Sequence, residues 1–173
     1  RTPLPAPETA SGGNTVDWAM NTSLMNNGLN SAHNAYASNS ENVLIQSGVL
    51  DLSGTSSPIL QFAHIAKTEG NYDECYIEVS TDGGSTFVTI PSTAYLGAGS
   101  YVGNFWEDSY SEWGTGSETP DNSWWKVETF DLSDYQTSNV VFQFRLSSDG
   151  SIERDGWYID DIYIGEAGPA MTT

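Results

Sequence analysis

Apolar residues in this chain recur at every second position, in short runs broken by turn residues, and no stretch carries a convincing 3.6-residue helical period. Cys75, Ile77 and Val79 alternate with Tyr76, Glu78 and Ser80. Val140, Phe142, Phe144 and Leu146 likewise share one face of their run. Residues 157–164 read as a third strong strand, and residues 59–65 as a fourth with Pro58 at its entrance, where a proline is tolerated. Residues 43–45 and 127–130 are weaker strand candidates, and the polar stretch 21–36 reads as loop or a short strand pair. Turn signals separate the runs: Asp51-Leu52-Ser53-Gly54, Asp82-Gly83-Gly84, Ser147-Ser148-Asp149-Gly150 and Asp155-Gly156. Many short strands with Gly, Asp and Ser between them predict an all-β sandwich or barrel.

The 173 residues set the number of domains at one, large enough to bury a core without staples. With 38% hydrophobic and 12% aromatic residues the chain is no candidate for disorder. Residues 1–13 hold three of the seven prolines and end on a Gly pair, which predicts a semi-extended linker. The folded unit is then 14–166, with 167–173 as a flexible tail. Residue 1 is Arg, and no charged-then-apolar signal segment follows. A monomeric module excised or processed from a longer protein is the expectation. Cys75 is the single cysteine, so no intrachain disulfide forms. At the start of a strand it reads as a small buried hydrophobe.

Five basic residues face 23 acidic ones, a formal net charge of −18. Nucleic-acid binding needs Lys and Arg to displace counterions, and anionic membranes need the same, so both partners are excluded. Bare polyanions are repelled unless a cation bridges them. The acid excess is either a solvated surface or, in part, carboxylates gathered round a metal.

Catalytic patterns are absent from the sequence. His33 and His64 are the two histidines, and no nucleophile elbow, HExxH or phosphate loop occurs. A non-catalytic module is expected.

Ser80-Thr81-Asp82-Gly83-Gly84-Ser85-Thr86-Phe87 resembles the Asp-box, a β-hairpin turn of secreted β proteins, and local turn chemistry alone explains its residues. A longer resemblance rests on segments in order. Ala32-His33-Asn34-Ala35-Tyr36 comes first, then Val49-Leu50-Asp51-Leu52-Ser53-Gly54, Tyr72-Asp73 and the Asp82 hairpin. Trp125 and Asp131-Leu132-Ser133-Asp134-Tyr135 follow, then Phe144-Arg145-Leu146-Ser147-Ser148-Asp149 and Asp155-Gly156-Trp157-Tyr158-Ile159-Asp160-Asp161-Ile162. This order resembles the MAM-like jelly-roll domains of secreted bacterial proteins, including the accessory domain of immune inhibitor A peptidases. The resemblance implies an antiparallel jelly-roll β-sandwich, often with structural calcium, joined to secreted or cell-surface hydrolases and adhesins. It implies no catalysis.

Two sets of residues are candidates for function. Strict alternation along 157–164 turns one of Asp160 and Asp161 toward apolar neighbours, which is costly without a partner. With so few Lys and Arg, a Ca2+ ion is the expected partner, and the resemblance favours Asp160. Asp155, Glu69 and Asp73, in turns beside neighbouring strands, complete the expected site. The alternative is that these are solvated turn residues. The second set lies between Ile90 and Trp125, a stretch longer and more aromatic than the family pattern. Trp106, Tyr110, Trp113 and Trp124 sit there among Gly, Ser, Asn, Asp and Glu rather than Val, Ile and Leu. Rings with polar neighbours suit a neutral polysaccharide or glycan, while protein-interface contact and a loop closing on its own aromatics are the alternatives.

Overall fold

Nine strands form among the residues described, 16–168, in a computed structural model of the chain. They are β1 (Ala19–Asn21), β2 (Ser31–Asn34), β3 (Glu41–Ile45), β4 (Pro58–Lys67), β5 (Glu74–Ser80), β6 (Val88–Thr89), β7 (Lys126–Asp131), β8 (Val141–Ser147) and β9 (Gly156–Glu166). The expected linker, 1–13, and all but two residues of the expected tail lie outside the described residues. Every strand pair is antiparallel. A five-stranded sheet runs β1-β2-β9-β4-β7 and a four-stranded sheet runs β3-β8-β5-β6. Helical structure among the described residues is limited to short 3-10 turns. The polar stretch before Tyr36 resolves as the β1–β2 strand pair, with Ala19 opposite His33.

The alternation seen in the sequence is what joins the sheets. Cys75, Ile77 and Val79 of β5 and Phe142, Phe144 and Leu146 of β8 all point into one core. From the other sheet, Phe62 meets Phe144 edge to face at 5.2 Å, and Trp157 meets it at 5.7 Å. The molecule is therefore an all-β sandwich of two antiparallel sheets. Cys75 is fully buried, as its place on β5 predicts.

Two departures from regularity shape the functional surfaces. First, β9 carries a bulge. Ala63 pairs with Asp160 and Gln61 with Tyr163, so Phe62 stands opposite both Asp161 and Ile162. Asp161 takes the left-handed conformation, φ 54°, that such an extra residue adopts. Second, the segment after β6 closes the open side of the sandwich. Tyr95 bridges to Phe130 at the edge of the larger sheet, and Phe105 bridges to Cys75 at the edge of the smaller one. The aromatics between them line the core.

Candidate functional site

The turns β4–β5 and β8–β9 and the crossover from β2 to β3 meet at one end of the sandwich. Asp73 ties them. Its carboxylate accepts hydrogen bonds from the Tyr36 hydroxyl at 2.8 Å and from the Asp149 backbone N–H at 2.9 Å. The Tyr36 oxygen in turn accepts the Arg154 backbone N–H at 2.9 Å. The β4–β5 turn is built for this. Tyr72 and Asp73 N–H groups donate to the Glu69 carbonyl, the Thr68 hydroxyl donates to the Asp73 carbonyl, and Asn71 takes a positive φ that Asn tolerates. Carboxylate oxygens of Glu69, Asp73 and Asp149 thereby lie within 4.8 Å of one another.

Burial holds the Asp73 carboxyl above the ordinary aspartate value, and Asp73 itself is 1% exposed. Burial, followed by the charges of Asp73 and Asp149, raises Glu69 in the same direction. None of the four described Lys and Arg residues forms an ion pair with the cluster, although the charge of Arg154 partly offsets the rise at Glu69. Lys67 pairs with Glu107 and Glu118, Arg154 with Glu107, Arg145 with Glu41 and Glu78, and Lys126 with Glu112. The donor set is all oxygen and mostly anionic, which suits a hard cation such as Ca2+ rather than a thiolate- or imidazole-seeking metal.

This cluster contains two of the four residues expected as calcium ligands. Asp155 and Asp160 are not in it. The Asp155 carboxylate accepts the Tyr158 hydroxyl, and its carbonyl contacts His33 Nε2 at 2.9 Å. Asp160 lies five residues further along extended chain, about 16 Å away. Its Oδ2 accepts the backbone N–H groups of Asn26 and Asn27 at 2.9 and 3.0 Å. The expected quartet Asp160, Asp155, Glu69 and Asp73 therefore does not assemble, and the carboxylates that converge are those of Glu69, Asp73 and Asp149. Asp155 and Asp160 bond elsewhere, and the bulge at Asp161 removes the inward-facing carboxylate that strict alternation implied. It puts Ile159, Ile162 and Ile164 together against the core, so neither aspartate needs a metal to face inward. Asp149 was visible in the sequence only as part of a turn signal, since nothing local brings it to Asp73.

The aromatic stretch also lies differently. Trp113, expected at the surface, is fully buried. Its ring meets His64 edge on at 5.2 Å, and its Nε1 donates to the Trp124 carbonyl. Tyr110 is half-buried between the Lys126 ammonium, 5.0 Å from its ring centre, and Trp113 at 4.8 Å. Trp124 packs half-buried against the core, with Lys67 Nζ 6.0 Å from its ring centre. Trp106 is half-buried at a 3-10 turn, its N–H bonded to Ser109 Oγ. Trp113 is thus drawn into the core at the open side of the sandwich, while Trp106, Tyr110 and Trp124 stay partly exposed.

Beneath them lies a buried polar chain. The Trp157 indole N–H donates to His64 Nδ1 at 3.1 Å, which places the imidazole proton on Nε2. That nitrogen donates to Glu128 Oε2 at 3.0 Å, and Glu128 Oε1 accepts both Tyr95 and Tyr110 hydroxyls at 2.8 and 2.7 Å. His64 and Glu128 are fully buried. The chain satisfies every member and ties the closing segment to β4, β7 and β9. His33, the other histidine, stacks on Tyr158 at 3.8 Å, and burial lowers its pKa.

No family model matches the chain. A stretch of 48 residues, 28% of the chain, is 42% identical to Bacillopeptidase F of Bacillus subtilis (strain 168), of whose length it spans 3%. Among solved structures, the K3 cleaved adhesin domain of Lys-gingipain from Porphyromonas gingivalis w83 is similar at a TM-score of 0.46 and 15% identity. The match covers 81% of this chain and 75% of that one.

Proposed function

We propose that the chain is a non-catalytic accessory or adhesion domain of a secreted or cell-surface bacterial protein, of the kind joined to peptidases. In this reading its loop end holds a structural Ca2+ and the domain attaches its parent to a neutral polysaccharide. The stretch shared with Bacillopeptidase F and the ordered MAM-like segments support the accessory role. Both histidines are committed to internal contacts, which also favours binding over catalysis.

The observation that carries the calcium assignment is the convergence of Glu69, Asp73 and Asp149 beside Lys and Arg residues that pair elsewhere. Ca2+ would supply charge compensation there and cross-link the β4–β5 and β8–β9 turns. Saturating Ca2+ is expected to raise the melting midpoint of EDTA-stripped protein by about 5–10 °C. Asp149→Asn should abolish that shift, because it removes a ligand without touching the Asp73 hydrogen bonds. An unchanged midpoint, with no metal found by elemental analysis, would overturn the assignment.

A further inference from the structure

The bulge residue Asp161 borders a groove on the outer face of the five-stranded sheet. Its volume is about 210 Å3, and Asn26, Asn27, Gln61, Val127, Asp161 and Tyr163 surround it. Ala63, small and flush with the sheet, forms the floor beside the Phe62 backbone. The space is below the roughly 300 Å3 at which drug-sized pockets begin, so it takes one ring rather than a bulky ligand.

Each amide around the groove has one end engaged by the protein. Asn26 Nδ2 donates to Asp161 Oδ2, Asn27 Oδ1 accepts the Gly28 N–H, and Gln61 Nε2 donates to Thr129 Oγ1. These bonds orient the amides and leave two carbonyl oxygens and one NH2 for a ligand. Vicinal hydroxyls, which both donate and accept, match that set. The Tyr163 phenol donates to the Glu166 carbonyl, which holds its ring as a wall for C–H faces. No Lys or Arg lines the groove, and Asp161 with a net charge of −18 disfavours an anionic ligand. A wider groove of about 480 Å3 adjoins it at Val127, beside Ser111 and the Glu112–Lys126 ion pair. A chain of sugars can therefore continue past the β7 edge.

We infer that this groove, not the aromatic segment, binds a pyranose unit of a neutral oligosaccharide. The inference rests on the glycan reading proposed above and assigns its site. The test is an array of neutral and acidic oligosaccharides, probed with the whole calcium-loaded chain and three variants. Val127→Arg adds bulk at a rim position that is 56% exposed, so the fold is spared. Gln61→Ala removes the floor carbonyl, and Trp106→Ala reports on the aromatic segment. Retention on a neutral oligosaccharide, weakened about tenfold or more in Val127→Arg and Gln61→Ala at unchanged melting midpoint, and kept in Trp106→Ala, is the expected result. Wild-type binding by both groove variants overturns the groove and leaves the glycan reading standing. No neutral glycan bound by the unmodified chain ends both, and binding confined to acidic sugars overturns the ligand class.

Discussion

Asp82 and Asp160 are the same residue in opposite situations. Asp82 finds all its partners within four residues. Its Oδ1 accepts the Ser80 hydroxyl and the Ser85 and Thr86 N–H groups, and its Oδ2 accepts the Thr86 hydroxyl. Gly83 and Gly84 supply the positive φ values of the turn, 76° and 96°. The Ser80 hydroxyl, then Thr86, hold the Asp82 carboxyl well below the usual aspartate range. A depressed folded pKa means that this hairpin stabilises the fold fully above the ordinary value of 3.8, and that the contribution is lost as pH falls below it. Urea midpoints measured from neutral pH down into acid should therefore fall less steeply for Asp82→Asn than for the unmodified chain. Equal slopes would show that the carboxylate is not so held. Such a motif is legible in sequence because its bonds are local. Asp160 bonds to Asn26 and Asn27, more than 130 residues away, and no spacing rule announces that.

Strand β9 shows what period two can and cannot say about an element. Its apolar alternation marks a strand correctly, but strict alternation would put Ile162 and Ile164 on the face of Tyr158. The extra residue at Asp161 reverses the phase, and both isoleucines join Ile159 at the core. Deleting Asp161 should remove the bulge and leave Ile162 and Ile164 in phase with Ile159, so the domain should keep its core and lose no more than about 1–2 kcal/mol, the order of one lost hydrogen bond. Asp161→Gly keeps the count, relieves the left-handed strain and should change stability by no more than about 1–2 kcal/mol in either direction. Chemical denaturation of the two variants checks this, and a loss of several kcal/mol on deleting Asp161 would mean that it is not the extra residue that sets the phase. Strands β5 and β8, which carry no bulge, have the faces that their sequences predict.

The whole sandwich has unequal sheets, five strands against four, and segment 92–125 closes the resulting gap. Of the four tryptophans in that wall, Trp113 is the fully buried one. Trp113→Ala should cost about 3–5 kcal/mol in urea and expose the segment to limited proteolysis before the strands are cut. Loss of less than about 1 kcal/mol would return Trp113 to the surface role its sequence context suggested. Glu128, His64 and Trp157 come from three strands, and their hydrogen bonds with Tyr95 and Tyr110 join that wall to the larger sheet. The polar neighbours of these aromatics pointed to a ligand surface because composition does not report which side of a sandwich is open.

Fold class and strand faces followed from periodicity, and the Asp82 hairpin from local turn chemistry, because in each case the partners are near neighbours in the chain. The expectation against bare polyanionic partners rests on charge alone. Tertiary structure decided the rest: which carboxylates converge, how β9 changes phase, and where the aromatic rings go. Those depend on residues far apart in sequence that meet only when two unequal sheets are stacked. Glu69, Asp73 and Asp149 converge because the β4–β5 and β8–β9 turns end at the same place, and a one-dimensional pattern does not encode that meeting.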